Sequence, residues 1–319
     1  MKSTLITNQV VPNKKLTLLT IKKILIPVDF SGTGIKVLEQ AALMAKKTNA
    51  EIILLTVVTG PFGNAGPDDI RISVYNNKKY EGLIAVEAEK QMNLLKENLL
   101  KEGIRKVTYL IKKAGTPYKE IVSVASKAKV DIILMGTHGV SGFREFVLGS
   151  NTFKVVSQAK CAVLSIQKQT KKAGFKSILL PFRDKPHSRE NVDYAIRIAK
   201  IYGATLHILG ISYDPTTVVA NKIQLEVEQI KHILENEGVK YSTETVHGNY
   251  VAKYIFSQAE KVNADLIVVM ADIDKMAISE FIAGPVIQQI VNHSKIPILS
   301  IHPIINPETT DNYGTDWSF

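Results

Sequence analysis

The sequence predicts an α/β protein made of two tandem doubly wound open parallel sheets with helices on both faces. Three observations lead there. The chain has 319 residues, a length that suits two domains of about 150 residues each. One succession of apolar runs is written twice along it. Those runs are short, rich in β-branched residues and free of polar alternation, the pattern of strands covered on both faces as in a parallel sheet. Helical segments between such strands make each copy a βαβαβαβαβ unit.

The elements follow in order. The opening strand over 23–29, with Pro27, Val28 and Asp29 at its end, returns over 177–183, where Arg183 stands in the place of Asp29. A polar turn and an amphipathic helix come next, over 38–47 in the first copy and 192–202 in the second. The second strand, 50–58, matches 204–211. A later strand, 130–135, matches 264–269, and the last strand, 161–166, matches 296–301. The first copy carries an extra stretch, 61–80, before a helix over 83–100; loops of that length are either functional lids or disordered. The first domain is thus expected over 21–167 and the second over 175–303. A polar linker over 168–174 joins them, with an N-terminal extension over 1–20 and a tail over 304–319.

Composition narrows the class. Apolar residues make up 45% and charged residues 22%, the profile of a globular chain. No stretch approaches the roughly 18–20 apolar residues of a spanning helix, and 1–20 lacks the apolar core and cleavage site of a signal peptide. Cys161 is the single cysteine; it sits in an apolar run and is expected to be buried and inert, in a reducing, cytoplasmic location. The net charge of +10 would suit an anionic partner. The lysines are scattered, however, with small clusters at Lys14-Lys15, Lys22-Lys23 and Lys171-Lys172 and no interleaved aromatics. Neither nucleic acid nor a membrane is therefore expected as partner. The seven histidines never approach metal-ligand spacing, so no metal site is expected.

One loop carries chemistry. After the strand ending at Met135 come Gly136, Thr137, His138 and Gly139, and ten residues later Gly149-Ser150 open a helix. In an open parallel sheet ligands bind beyond the carboxyl ends of the strands, where the chain order reverses. Gly136 and Gly139 let the backbone approach a ligand with no Cβ in the way. The first N–H groups of the helix lack internal partners and point outward, an arrangement suited to phosphate. Arg144 either adds charge there or faces solvent.

This spacing, G-2x-G-9x-G-S, resembles the motif of ATP-binding universal stress proteins, as do Pro27-Val28-Asp29-Phe30-Ser31 and the Gly115-Thr116-Pro117 segment ahead of the fourth helix. The resemblance implies their Rossmann-like fold in both copies and ATP as ligand, with or without Mg2+. It implies that Asp29 holds the adenine or ribose side with Pro27 beside it, and that Val57 contacts the adenine. Gly136 and Gly139 would line the ribose and phosphates, and Gly149, Ser150 and Asn151 would bind the phosphate tail. It also implies pairing of 161–166 with 296–301 inside the chain, since family members dimerise through the edge strand.

The second copy departs from the motif. Met270 replaces Gly136, Pro285 replaces Ser150 and brings neither a hydroxyl nor an N–H, Arg183 replaces Asp29, and Asp272 and Asp274 add negative charge. The second copy is therefore expected not to bind ATP in the family manner. The leading reading is a stress-response protein whose ATP occupancy in the first copy regulates conformation or the binding of an unidentified protein partner. Two others stay open: a slow ATP hydrolase, for which His138 and Glu145 form no recognisable catalytic constellation, and an interaction module without nucleotide. Further dimerisation of the tandem chain is also open.

Overall fold

A computed structural model describes residues 20–30, 34–58, 78–113, 115–137, 150–170, 172–183, 188–213, 217–271 and 294–302. The first copy runs β1 (Lys23–Pro27), α1 (Gly34–Thr48), β2 (Glu51–Val58), α2 (Lys78–Lys101), β3 (Val107–Lys113), α3 (Pro117–Ala128), β4 (Ile132–Gly136), α4 (Ser150–Gln158) and β5 (Ala162–Ile166). The second runs β6 (Ser177–Arg183), α5 (Ser188–Tyr202), β7 (Thr205–Ser212), α6 (Thr217–Asn236), β8 (Tyr241–His247), α7 (Val251–Lys261), β9 (Leu266–Met270) and β10 (Ile298–Ile301). Pro117 opens the third helix rather than the fourth, at a first-turn position where its missing N–H costs nothing. The N-terminal extension, the 61–77 part of the long loop and the tail lie outside the described residues.

Each copy contributes five parallel strands, and the two sets join in one ten-stranded sheet of order β3-β2-β1-β4-β5-β10-β9-β6-β7-β8. The expected open sheets thus share one edge. At that seam β5 and β10 run antiparallel, with Ile298 opposite Ser165, Leu299 opposite Leu164 and Ser300 opposite Val163. Pairing two edge strands satisfies backbone groups that would otherwise face solvent. The antiparallel seam also sets the carboxyl ends of one copy beside the amino ends of the other.

The strands recognisable as unbroken apolar runs are those flanked on both sides: Leu25, Ile52, Leu54, Ile133, Leu134, Leu164, Leu206 and Leu266 are essentially inaccessible. Helix α1 buries Val37, Gln40, Ala41, Met44 and Ala45, the i, i+3, i+4, i+7 stripe of a helix packed on a sheet. On the face of α1, α2, α5 and α6 one apolar cluster runs unbroken through both copies, from Ile24 and Met92 to Ile223 and Leu234. On the other face the core divides into a first-copy cluster under α3 and α4 and a second-copy cluster under α7.

The repeat extends to single polar contacts. Asp131 accepts hydrogen bonds from the backbone of Lys22 and Lys23, both 2.8 Å. Asp265 does the same for Lys176 and Ser177 at 2.8 and 3.0 Å. Each carboxylate ties the start of one strand to its neighbour. Asn49 and Gly203, which precede β2 and β7, share a left-handed backbone (φ 58° and 68°), a conformation that favours these two residue types. Between the copies, the Gln40 amide donates to the Tyr202 hydroxyl at 2.8 Å and accepts from the Gly174 N–H at 2.7 Å. Gly174 adopts φ +90°, and a Cβ there would lie 3.0 Å from Leu43 Cδ2.

Candidate functional site

The chain passes from β1 outward to β2 and β3, then returns to place β4 on the other side of β1. The crevice at the carboxyl ends of β1 and β4 is therefore the switch point where ligands settle in this architecture. Pro27 pairs with Leu55 of β2, and the next N–H, of Val28, donates to the Leu55 carbonyl at 2.7 Å. Asp29 stands exposed just beyond. The chain then bends at Phe30, which has a left-handed backbone (φ 55°) and is 47% exposed. Left-handed backbone is uncommon outside glycine, so the bend is a local feature of the crevice that the sequence does not advertise.

Val57 is half-buried near the end of β2 and packs on the cluster of Leu25, Leu55 and Val124. Gly136 ends β4 opposite Ile166. The N–H of the buried Thr137 donates to the Ile166 carbonyl at 3.0 Å. The structure thus brings Pro27, Asp29, Val57 and Gly136 to three adjacent strand ends, β2, β1 and β4, spanning about 10 Å at the usual interstrand spacing.

Helix α4 starts at Ser150, with Asn151 exposed in its first turn. Thr152 fixes it: the buried hydroxyl donates to the Gly136 carbonyl at 2.7 Å. That bond ties the beginning of α4 to the end of β4, and nothing in the loop motif points to it. No acidic side chain lies in the first turn of α4, so none of its own carboxylates offsets the positive helix end. Gly139, Gly149 and the side chain of Ser150 lie outside the described residues.

The second copy repeats the backbone of the crevice but not its side chains. The Ala271 N–H donates to the Ile301 carbonyl at 2.7 Å, the counterpart of the bond from Thr137 to Ile166. Met270 ends β9 where Gly136 ends β4. Arg183 ends β6, and its guanidinium lies 4.3 Å from the centroid of the Tyr213 ring, an attractive cation–π distance. A cation on an aromatic ring thus occupies the position held by a carboxylate in the first copy. Asp272, Asp274 and Pro285 lie outside the described residues.

The Cys161 thiol is pushed up to about 12, first by burial and then by the nearby Asp131 carboxylate, so it stays protonated at neutral pH. Among the described residues no helix is long and apolar enough to cross a membrane.

Comparison with known proteins agrees with this geometry. The profile of the Universal stress protein family matches residues 20–167 and again 174–302. Two universal stress proteins of Methanocaldococcus jannaschii are similar to the chain. One is 32% identical over 151 residues, covering 47% of this chain and 84% of the relative. The other is 30% identical over 159 residues, covering 46% and 96%. The crystal structure of a universal stress protein from Archaeoglobus fulgidus superposes with a TM-score of 0.69 at 20% identity, over 89% of this chain and 98% of that one. That likeness shows the fold and extends across both copies. The chain belongs to the universal stress protein family and carries the family's fold twice.

Proposed function

We propose that the first copy binds ATP in the crevice between β1 and β4, and that the protein acts as a nucleotide-dependent regulatory module of the stress response. The observation that carries this reading is the placement of α4. Its first turn is tied by Thr152 to the carbonyl of Gly136, which keeps the start of α4 at the end of β4, next to β1 with Pro27 at its end and Asp29 just beyond. A helix N-terminus held in this way favours phosphate through directed N–H donors and the helix dipole together. Asp29 is chemically suited to accept hydrogen bonds from a ribose hydroxyl or an adenine amine, and Val57 offers apolar contact for the base. Gly149, Ser150, Asn151 and Gly139 would complete the phosphate end. Mg2+ arriving with the nucleotide would offset phosphate charge, and the described residues present no carboxylate cluster that would hold it without nucleotide.

The second copy, with Arg183 stacked on Tyr213, is read as a pseudo-symmetric partner that does not bind ATP in the same manner. The crevice chemistry suits a cytoplasmic protein supplied with nucleotide. Titration calorimetry of ATP into the full chain tests the reading. Wild type should saturate at one ATP per chain, and Asp29→Ala and Gly136→Val should each weaken binding by about tenfold or more. Absence of saturable binding at millimolar ATP would leave the interaction module without nucleotide as the better reading.

A further inference from the structure

Helix α4 has only nine residues, yet it is held at four places, two of them by the second copy. Thr152 ties its first turn to β4, within the first copy. One residue later Phe153 turns the other way and packs against the second-copy cluster that contains Ile267 and Ile298. Val155 and Val156 return to the first-copy core. At the far end, the ring of His302, the residue that follows β10, is half-buried with its Nε2 out of solvent and hydrogen-bonds to the backbone of Val156.

The carbonyl of Val156 lies in the last turn of α4, where helix carbonyls run out of partners of their own. His302 therefore caps from the second copy a helix that belongs to the first. The ring's Nε2 is out of solvent and has no hydrogen-bond partner. The antiparallel seam explains the approach. β10 runs back along β5 from Ile298 opposite Ser165 to Ser300 opposite Val163, so His302 arrives where α4 hands over to β5.

Resting on the nucleotide reading above, we propose that the second copy positions the phosphate-binding helix of the first, with Phe153 and His302 as positioning residues. This gives the copy with the altered loop a role in the ATP site. A helix terminus binds phosphate well only when its N–H groups are held to within about half an ångström of the productive geometry. Here the grip on α4 is divided between the copies. A shift of one copy against the other along the seam moves α4 relative to Asp29 and Pro27. By the reciprocity of linkage, ATP bound at the helix changes the surroundings of Phe153 inside the second copy.

The test uses the full chain and calorimetric ATP titration. Phe153→Ala and His302→Ala are expected to weaken ATP affinity by about tenfold, and His302→Gln, which keeps a donor for the Val156 carbonyl, should recover most of that loss. Leu234→Ala, in the α6 core on the opposite face of the sheet from α4, controls for general loosening and should leave affinity within twofold. A tryptophan placed by Phe153→Trp in a Trp317→Phe background reads the coupling directly. Its emission should change as ATP is added, with the midpoint of the calorimetric curve. Wild-type binding with unaltered affinity in both alanine variants and a silent tryptophan would overturn the inference and leave the nucleotide reading standing. If wild type itself binds no ATP, the nucleotide reading fails and takes this inference with it.

Discussion

At the scale of single residues, His302 is the group whose environment has the clearest consequence. Burial lowers its pKa from 6.5 to about 4, outweighing the hydrogen bond to Val156, which acts in the opposite direction. Between these two values the unfolded chain takes up a proton at this ring and the folded chain does not. The stability associated with the neutral ring is therefore fully present above about pH 6.5 and is lost as the pH falls towards 4. The linked loss between pH 7 and 4 is about 3 kcal/mol. Urea unfolding across that range should show a shallower pH dependence for His302→Gln than for wild type. Equal slopes would mean that the ring is not held neutral. Two hydroxyls provide a second contrast. Thr152 donates to the Gly136 carbonyl, so Thr152→Val should cost about 1–2 kcal/mol and leave that carbonyl without its partner. Ser165 is fully buried at the seam with no partner for its hydroxyl, so Ser165→Ala should be neutral or stabilising by up to about 1 kcal/mol. Denaturant midpoints of the two variants should move in opposite directions or differ by more than their error.

At the scale of elements, legibility in the sequence follows burial. The runs that became β1, β2, β4 and β5 and their second-copy counterparts read as strands because helices cover both of their faces. β3 and β8 form the two outer edges of the sheet and did not stand out as runs. β8, Tyr241–His247, is largely polar and has no fully buried residue along its length, so a pattern tuned to doubly covered strands passes over it. The glycine spacing and Asp29 made the crevice readable, because those signals are local in the sequence. The bond from Thr152 to Gly136 spans sixteen residues and depends on how α4 lies on β4. The contacts of Phe153 and His302 depend on the seam, and no local pattern encodes them. The seam itself makes a prediction. Leu299 lies in β10, between β5 and β9, and proline there would remove a ladder donor and strain the strand by about 3 kcal/mol or more. With one apolar cluster shared between the copies, wild type should unfold in a single calorimetric transition. Leu299→Pro should lower its midpoint sharply or split it in two. Two separate transitions in wild type would show that the copies are energetically independent.

At the scale of the molecule, duplication has kept the frame and let the two crevices diverge. The carboxylate stitches of Asp131 and Asp265, the left-handed residues before β2 and β7, and the bonds of Thr137 and Ala271 to the next strand are repeated. Asp29 and Arg183 are not alike, nor are Gly136 and Met270. The proposed division of labour follows: one copy receives the nucleotide, and the other holds the receiving helix. The two copies differ in their nucleotide crevice, and binding stoichiometry reads that asymmetry. Calorimetric titration of ATP into the full chain should saturate at one per chain, with affinity weakened by about tenfold or more in Asp29→Ala and unchanged in Arg183→Ala. Saturation at two per chain, or affinity unchanged in Asp29→Ala and lost in Arg183→Ala, would contradict it.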